Sequence, residues 1–141
     1  MMIEHVAINV PDPHGMVEWY IKEMGMKLLR QADETTYFIA DEKESTILEI
    51  YYNPAAPILE YKEMDPLMLH FAFLSDDLKK DTLRLVQAGA TVYKELTVTK
   101  GGDSLVMLKD PWGISIQLVK RTVENQMKKY NVELEKNINK K

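Results

Sequence analysis

The chain has 141 residues, 45% of them hydrophobic, enough for one domain or for two small units sharing a core. A formal net charge of −4 argues against nucleic acid as a partner, since phosphate binding wants a basic face, and the lack of cysteine excludes disulfides, thiolate metal sites and a cysteine nucleophile. No basic and apolar leader opens the sequence, and no apolar run approaches the roughly 20 residues that span a bilayer, so a cytoplasmic protein with no membrane partner is expected.

Residues 3–10 alternate and are rich in β-branched side chains, which predicts a strand that Pro11-Asp12-Pro13 stops. Met16, Trp19, Tyr20 and Met24 then follow helical spacing over 14–24, and Gly25 ends that helix. Strands are expected at 26–31, 35–40 and 46–52, so residues 3–52 form a βαβββ module. Residues 53–66 read as a linker punctuated by Pro54, Pro57 and Pro66. The pattern then restarts over 67–119. A strand at 68–74 leads into the capping cluster Ser75-Asp76-Asp77 and a helix carrying Leu78, Leu83, Val86 and Ala88, which Gly89 ends. Strands at 90–95, 104–109 and 114–119 complete a second βαβββ unit, with turns at Gly101-Gly102-Asp103 and Asp110-Pro111-Trp112-Gly113. The fold class is therefore α+β: a single domain over 1–121 whose two modules form a cleft. Residues 122–141 are read as a C-terminal helical tail, with Val123, Met127, Tyr130, Leu134 and Ile138 as an apolar stripe that docks on the domain or on a second subunit.

Each module opens with a histidine on its first strand and closes with a carboxylate or amide on its last: His5 and Glu49, then His70 and Gln117. Strand alternation puts His5, Ala7 and Asn9 on one face and Val6, Ile8 and Val10 on the other, so the β-branched face packs under the helix and His5 lies on the open face. Taken singly, the histidines are satisfied core residues and Glu49 is an edge residue. Their recurrence at matched places of a repeat favours one shared metal site, which both modules can build within a single chain. Two imidazoles, a carboxylate and an amide oxygen suit a borderline divalent ion such as Ni, Co, Zn, Mn or Fe. Asn9 and Tyr51 face the same cavity and are candidate substrate contacts. Trp112 is either a third, at the pocket mouth, or a packed turn aromatic. His14 reads as a surface residue, and Arg30 and Arg121 either clamp an anionic group or are ordinary exposed arginines.

The segments IEHVAINVPDP, MGMKLL, LEIYY, LHFAFLSDD and KDPWGISIQLV together resemble the vicinal oxygen chelate superfamily over residues 3 to about 121. That group includes glyoxalase I, methylmalonyl-CoA epimerase, extradiol dioxygenases, fosfomycin-resistance enzymes and bleomycin-binding proteins. The resemblance implies a small-molecule substrate, a homodimer and a metal held by His5, Glu49, His70 and Gln117. It implies a lyase or isomerase that works on a 2-oxo, thiohemiacetal or CoA-type substrate through a metal-stabilised enediolate. The sequence departs from glyoxalase I at one place. The last strand there usually carries Glu, whereas Gln117 cannot take up a proton, which leaves Glu49 as the candidate catalytic base. The alternatives are a non-catalytic antibiotic-type binding protein and a dioxygenase of the same superfamily.

Overall fold

A computed structural model describes residues 1–126. The first module runs β1 (Val6–Asn9), α1 (Pro13–Met24), β2 (Lys27–Asp33), β3 (Thr36–Ala40) and β4 (Ile47–Tyr51). The second runs β5 (Phe71–Leu74), α2 (Leu78–Gln87), β6 (Thr91–Val98), β7 (Ser104–Lys109) and β8 (Ser115–Lys120). Each module makes its own four-stranded sheet, in the orders β1-β4-β3-β2 and β5-β8-β7-β6. In both, the module's first strand is an edge strand that pairs parallel to the last, and the other pairs are antiparallel. The expected α+β fold of two βαβββ units is thus present.

Local chemistry sets the element ends. Asp12 and Asp77 cap the helices by accepting the backbone N–H of Gly15 and Lys80, and Gly25, at φ 67°, closes α1 in the left-handed conformation. Three differences from the sequence expectation have clear causes. The Asp65 carboxylate accepts the Leu67 N–H and its carbonyl accepts the Met68 N–H, so this stretch turns and β5 starts at Phe71. The buried face of α2 is Leu78 and Leu85, whereas Leu83 and Val86 are exposed. Thr122 to Gln126 make a turn, not a helix: Asp103 accepts bonds from Arg121, the Thr122 N–H and Asn125, and Val123 is exposed. The rest of the proposed tail stripe, from Met127 on, lies outside the described residues.

One apolar core joins the modules through α1. Met16, Val17 and Tyr20 are buried with Ile39 and Ile50 of the first sheet and with Leu85, Leu108 and Ile116 of the second unit. Trp19 Nε1 donates to the Ala88 carbonyl, Tyr20 donates to Asp110, and the Trp19 ring meets Trp112 edge-on. The linker is stapled to both units: Tyr61 donates to the Asn9 carbonyl, and the buried Lys109 ammonium donates to the carbonyls of Tyr61 and Met64. Gly113 lies so close to Lys62 that a Cβ there would stand 2.6 Å from its backbone nitrogen. Among the described residues, no helix is long and apolar enough to cross a membrane.

Candidate functional site

On the strand β4, Leu48 and Ile50 are buried under α1 while Glu49 faces the open side of the sheet, half-buried. Glu49 pairs in register with Ala7, and His5 stands two residues before that alanine, at the mouth of β1. The diagonal brings His5 Nε2 to 3.1 Å from Glu49 Oε2. The second sheet repeats the relationship: Gln117, flanked by buried Ile116 and Leu118, pairs with Ala72, and His70 stands two residues before it. Both histidines therefore sit at the same diagonal from the polar residue of the neighbouring strand.

The imidazoles are also held alike. His5 Nδ1 is bonded to the Glu4 carboxylate, and His70 Nδ1 lies 2.8 Å from the Pro66 carbonyl. In each case a partner on Nδ1 holds the ring, as metal-ligating histidines are commonly held. The Glu4 contact pushes the His5 imidazole above its ordinary pKa. The Phe38 ring stands edge-on to His5 at 5.5 Å and walls the first half-site. Two imidazole nitrogens, one carboxylate and one amide oxygen form a donor set that fits a divalent ion.

The two half-sites do not meet within the chain. Among the described residues, no three His, Asp or Glu side chains gather to hold a metal. The modules pack on one another through α1 and the linker. A groove of about 590 Å³ runs beside β5, with His70, Phe73, Met24 and Arg84 in its wall, but neither His5 nor Glu49 borders it.

The other candidates separate clearly. Tyr51 shares the open face with Glu49. Asn9 does not offer a free amide: its Nδ2 donates to the carbonyls of Asn53 and Ala56, and its Oδ1 accepts the Asn53 N–H, so it anchors the linker. Trp112 packs on Trp19 on the helical side, which is the packed-aromatic outcome. Arg121 is bound to Asp103, and His14 is an exposed residue beside Glu18 and Tyr37. Sequence reasoning passed over Glu4 and Phe38. The adjacency of Glu4 to His5 was a visible signal for the first, and the alternation of β3 for the second.

A family model described as Glyoxalase/Bleomycin resistance protein/Dioxygenase superfamily matches residues 2–118. The chain belongs to this superfamily. Within it, the chain is 28% identical over 127 residues to a lactoylglutathione lyase of Escherichia coli O157:H7, covering 84% of this chain and 92% of that protein. It is 30% identical over 125 residues to a probable lactoylglutathione lyase of Vibrio cholerae, covering 83% and 88%. Among solved structures, glyoxalase I of Zea mays superposes with a TM-score of 0.66 at 26% identity, covering 84% of this chain and 44% of the maize chain. A glyoxalase family protein of Bacillus cereus shares the fold, with a TM-score of 0.71 at 16% identity, covering 84% and 93%.

Proposed function

We propose that the chain is a metal-dependent, glyoxalase-like enzyme that isomerises a small 2-oxo or thiohemiacetal substrate by proton transfer, acting as a homodimer. The observation that carries this reading is the duplicated diagonal of His5 to Glu49 and His70 to Gln117, with each imidazole held through Nδ1. Relatives named lactoylglutathione lyase, matched over more than four-fifths of the chain, support it. In this reading His5, Glu49, His70 and Gln117 hold the ion, one of Ni, Co, Zn, Mn or Fe. When bound, the ion supplies Lewis-acid polarisation of the substrate's oxygen pair. Glu49 takes the proton from the hydroxyl-bearing carbon and returns it to the neighbouring carbonyl carbon, while the hydroxyl proton passes to the former carbonyl oxygen, so that product is an isomer of substrate. Gln117 contributes only its amide carbonyl, because an amide takes up no proton at neutral pH.

In this reading the dimer brings the two half-sites together. His5 and Glu49 of one copy would complete their set with His70 and Gln117 of the other. Exposed apolar side chains around the second half-site support a covered face there: Leu67, Met68 and Leu74 are 89%, 73% and 82% exposed. Elemental analysis of protein purified without chelator tests the reading, with near-stoichiometric divalent metal expected; protein that holds none, even after reloading, would sink it.

Gln117 favours a second reading, a non-catalytic small-molecule binding protein, since such a protein has no need of a second carboxylate. That reading expects His5→Ala and His70→Ala to leave ligand affinity unchanged.

A further inference from the structure

The linker meets the second half-site through one turn, and that turn carries a bond it does not need for its own closure. Asp65, Pro66, Leu67 and Met68 form a β-turn: the Asp65 carbonyl accepts the Met68 N–H at 2.9 Å, and the Asp65 carboxylate accepts the Leu67 N–H at 2.8 Å. Asp in the first place and Pro in the second suit such a turn, because the carboxylate mimics a backbone turn and the proline ring presets φ. Both closing acceptors belong to Asp65. The Pro66 carbonyl is left over, and it lies 2.8 Å from His70 Nδ1. Pro66 is buried, whereas Asp65, Leu67 and Met68 around it are exposed, so this carbonyl is seated in the fold. The segment is anchored on its other side as well, since the buried Lys109 ammonium donates to the carbonyl of Met64, the residue before the turn.

His70 needs such a hold. It precedes β5, whose ladder with β8 begins at Phe71, so strand pairing does not fix it. A carbonyl only accepts, so the bond requires the proton on Nδ1. That leaves the Nε2 lone pair of the neutral ring free for a ligand. His5 is held differently. Its Nδ1 partner is the carboxylate of its exposed neighbour Glu4, a side chain where His70 has a buried backbone group.

We infer that Asp65 is a positioning residue: by closing the turn it aims the Pro66 carbonyl at His70 and holds that imidazole as the Nδ1–H tautomer, with Nε2 ready to bind a metal ion. The inference rests on the proposed function for the ion and deepens it. It gives the linker a task beyond joining the modules, because an exposed linker carboxylate selects the donor atom of a ligand on the second sheet.

The test is nitrogen-15 NMR of the metal-free full chain at pH 8.5, with the His70 signals assigned by means of His5→Gln and His14→Gln variants, followed by titration of the same proteins with cobalt(II) read by its visible absorption. Wild type is expected to show His70 as the Nδ1–H tautomer. Asp65→Ala is expected to convert it to a mixture of tautomers and to weaken cobalt binding about tenfold. Asp65→Asn keeps the acceptor and loses only the charge, so it should match wild type in both readings. A wild-type His70 that is mixed or Nε2–H overturns the inference, and this reading stands even if a variant fails to fold. So does an Asp65→Ala chain with the wild-type tautomer or with undiminished cobalt affinity, or an Asp65→Asn chain as impaired as Asp65→Ala. Failure of the proposed function looks different: a wild type that binds no cobalt loses that function, while its His70 tautomer and the response to Asp65→Ala still decide the positioning role.

Discussion

Tyr20 donates its phenolic O–H to Asp110 Oδ2 at 2.9 Å, in the core, and so joins the helix of the first module to the turn before the last strand of the second. The other Asp110 oxygen accepts the N–H groups of Trp112 and Ile114 and shapes that turn. Burial nevertheless pushes the Asp110 carboxyl up from 3.8 to about 6, since these bonds only partly replace water. Between those values the folded chain keeps a proton that the unfolded chain has lost, so stability falls as pH rises through the window. The span corresponds to about 3 kcal/mol. Urea unfolding at pH 4.5, 5.5 and 6.5 should show this decline. Asp110→Asn should flatten it; a variant with the wild-type slope would show that another group is responsible. The carboxylates of Asp33, Asp41 and Asp103, all held below 3.8, act only at lower pH and leave the window clear.

Lys109 makes a second junction. Its ammonium is buried and donates to the Tyr61 and Met64 carbonyls, and burial holds its pKa below the usual lysine value. Lys109→Met keeps the stem but leaves two linker carbonyls without their donor, at a cost of about 2 kcal/mol. Limited proteolysis should then cut within residues 53–66 faster than in wild type. A cleavage rate equal to wild type would mean that Tyr61 and Asn9 alone secure the linker.

The difference between Glu49 and Gln117 also yields a prediction. If Glu49 is the base, Glu49→Gln should lower kcat by a factor of about 100 or more while metal content stays within twofold. Restoring a carboxylate at the mirrored place, in the double variant Glu49→Gln with Gln117→Glu, should recover part of that loss because the two residues hold equivalent register positions. A double variant as inactive as the single one would show that the two positions are not interchangeable toward substrate.

Much of this is legible in the sequence for definite reasons. The modules are visible because Gly25 and Gly89 close their helices at nearly the same offset from His5 and His70, and both glycines have positive φ. The open face is visible because alternation separates Glu49 from Leu48 and Ile50, and those two are buried. What alternation cannot give is the partner of each face. It sets Asn9 on the side of His5, but the linker takes the Asn9 amide through Asn53 and Ala56, a contact with no local pattern. It treats Trp112 as a turn residue open to either role, and the fate of that ring is decided by Trp19 on a distant helix. Likewise the matched donor set names four residues without saying which sheets oppose each other. That depends on how α1 packs the modules.

The oligomeric prediction turns on that last point. In a dimer whose sites each draw His5 and Glu49 from one copy and His70 and Gln117 from the other, His5→Ala homodimers and His70→Ala homodimers both lack a whole site. Mixing the two variants, with mild unfolding to exchange subunits, makes mixed dimers in which one site carries all four residues and the other lacks both histidines. Random reassociation makes half the dimers mixed, so about a quarter of wild-type metal content should return, with any activity in proportion. Each variant carried through the exchange alone should stay empty, which controls for refolding. If the site were built within one chain, every chain in the mixture would still lack a histidine and nothing would return. The outcome therefore separates the two architectures even before a substrate is identified.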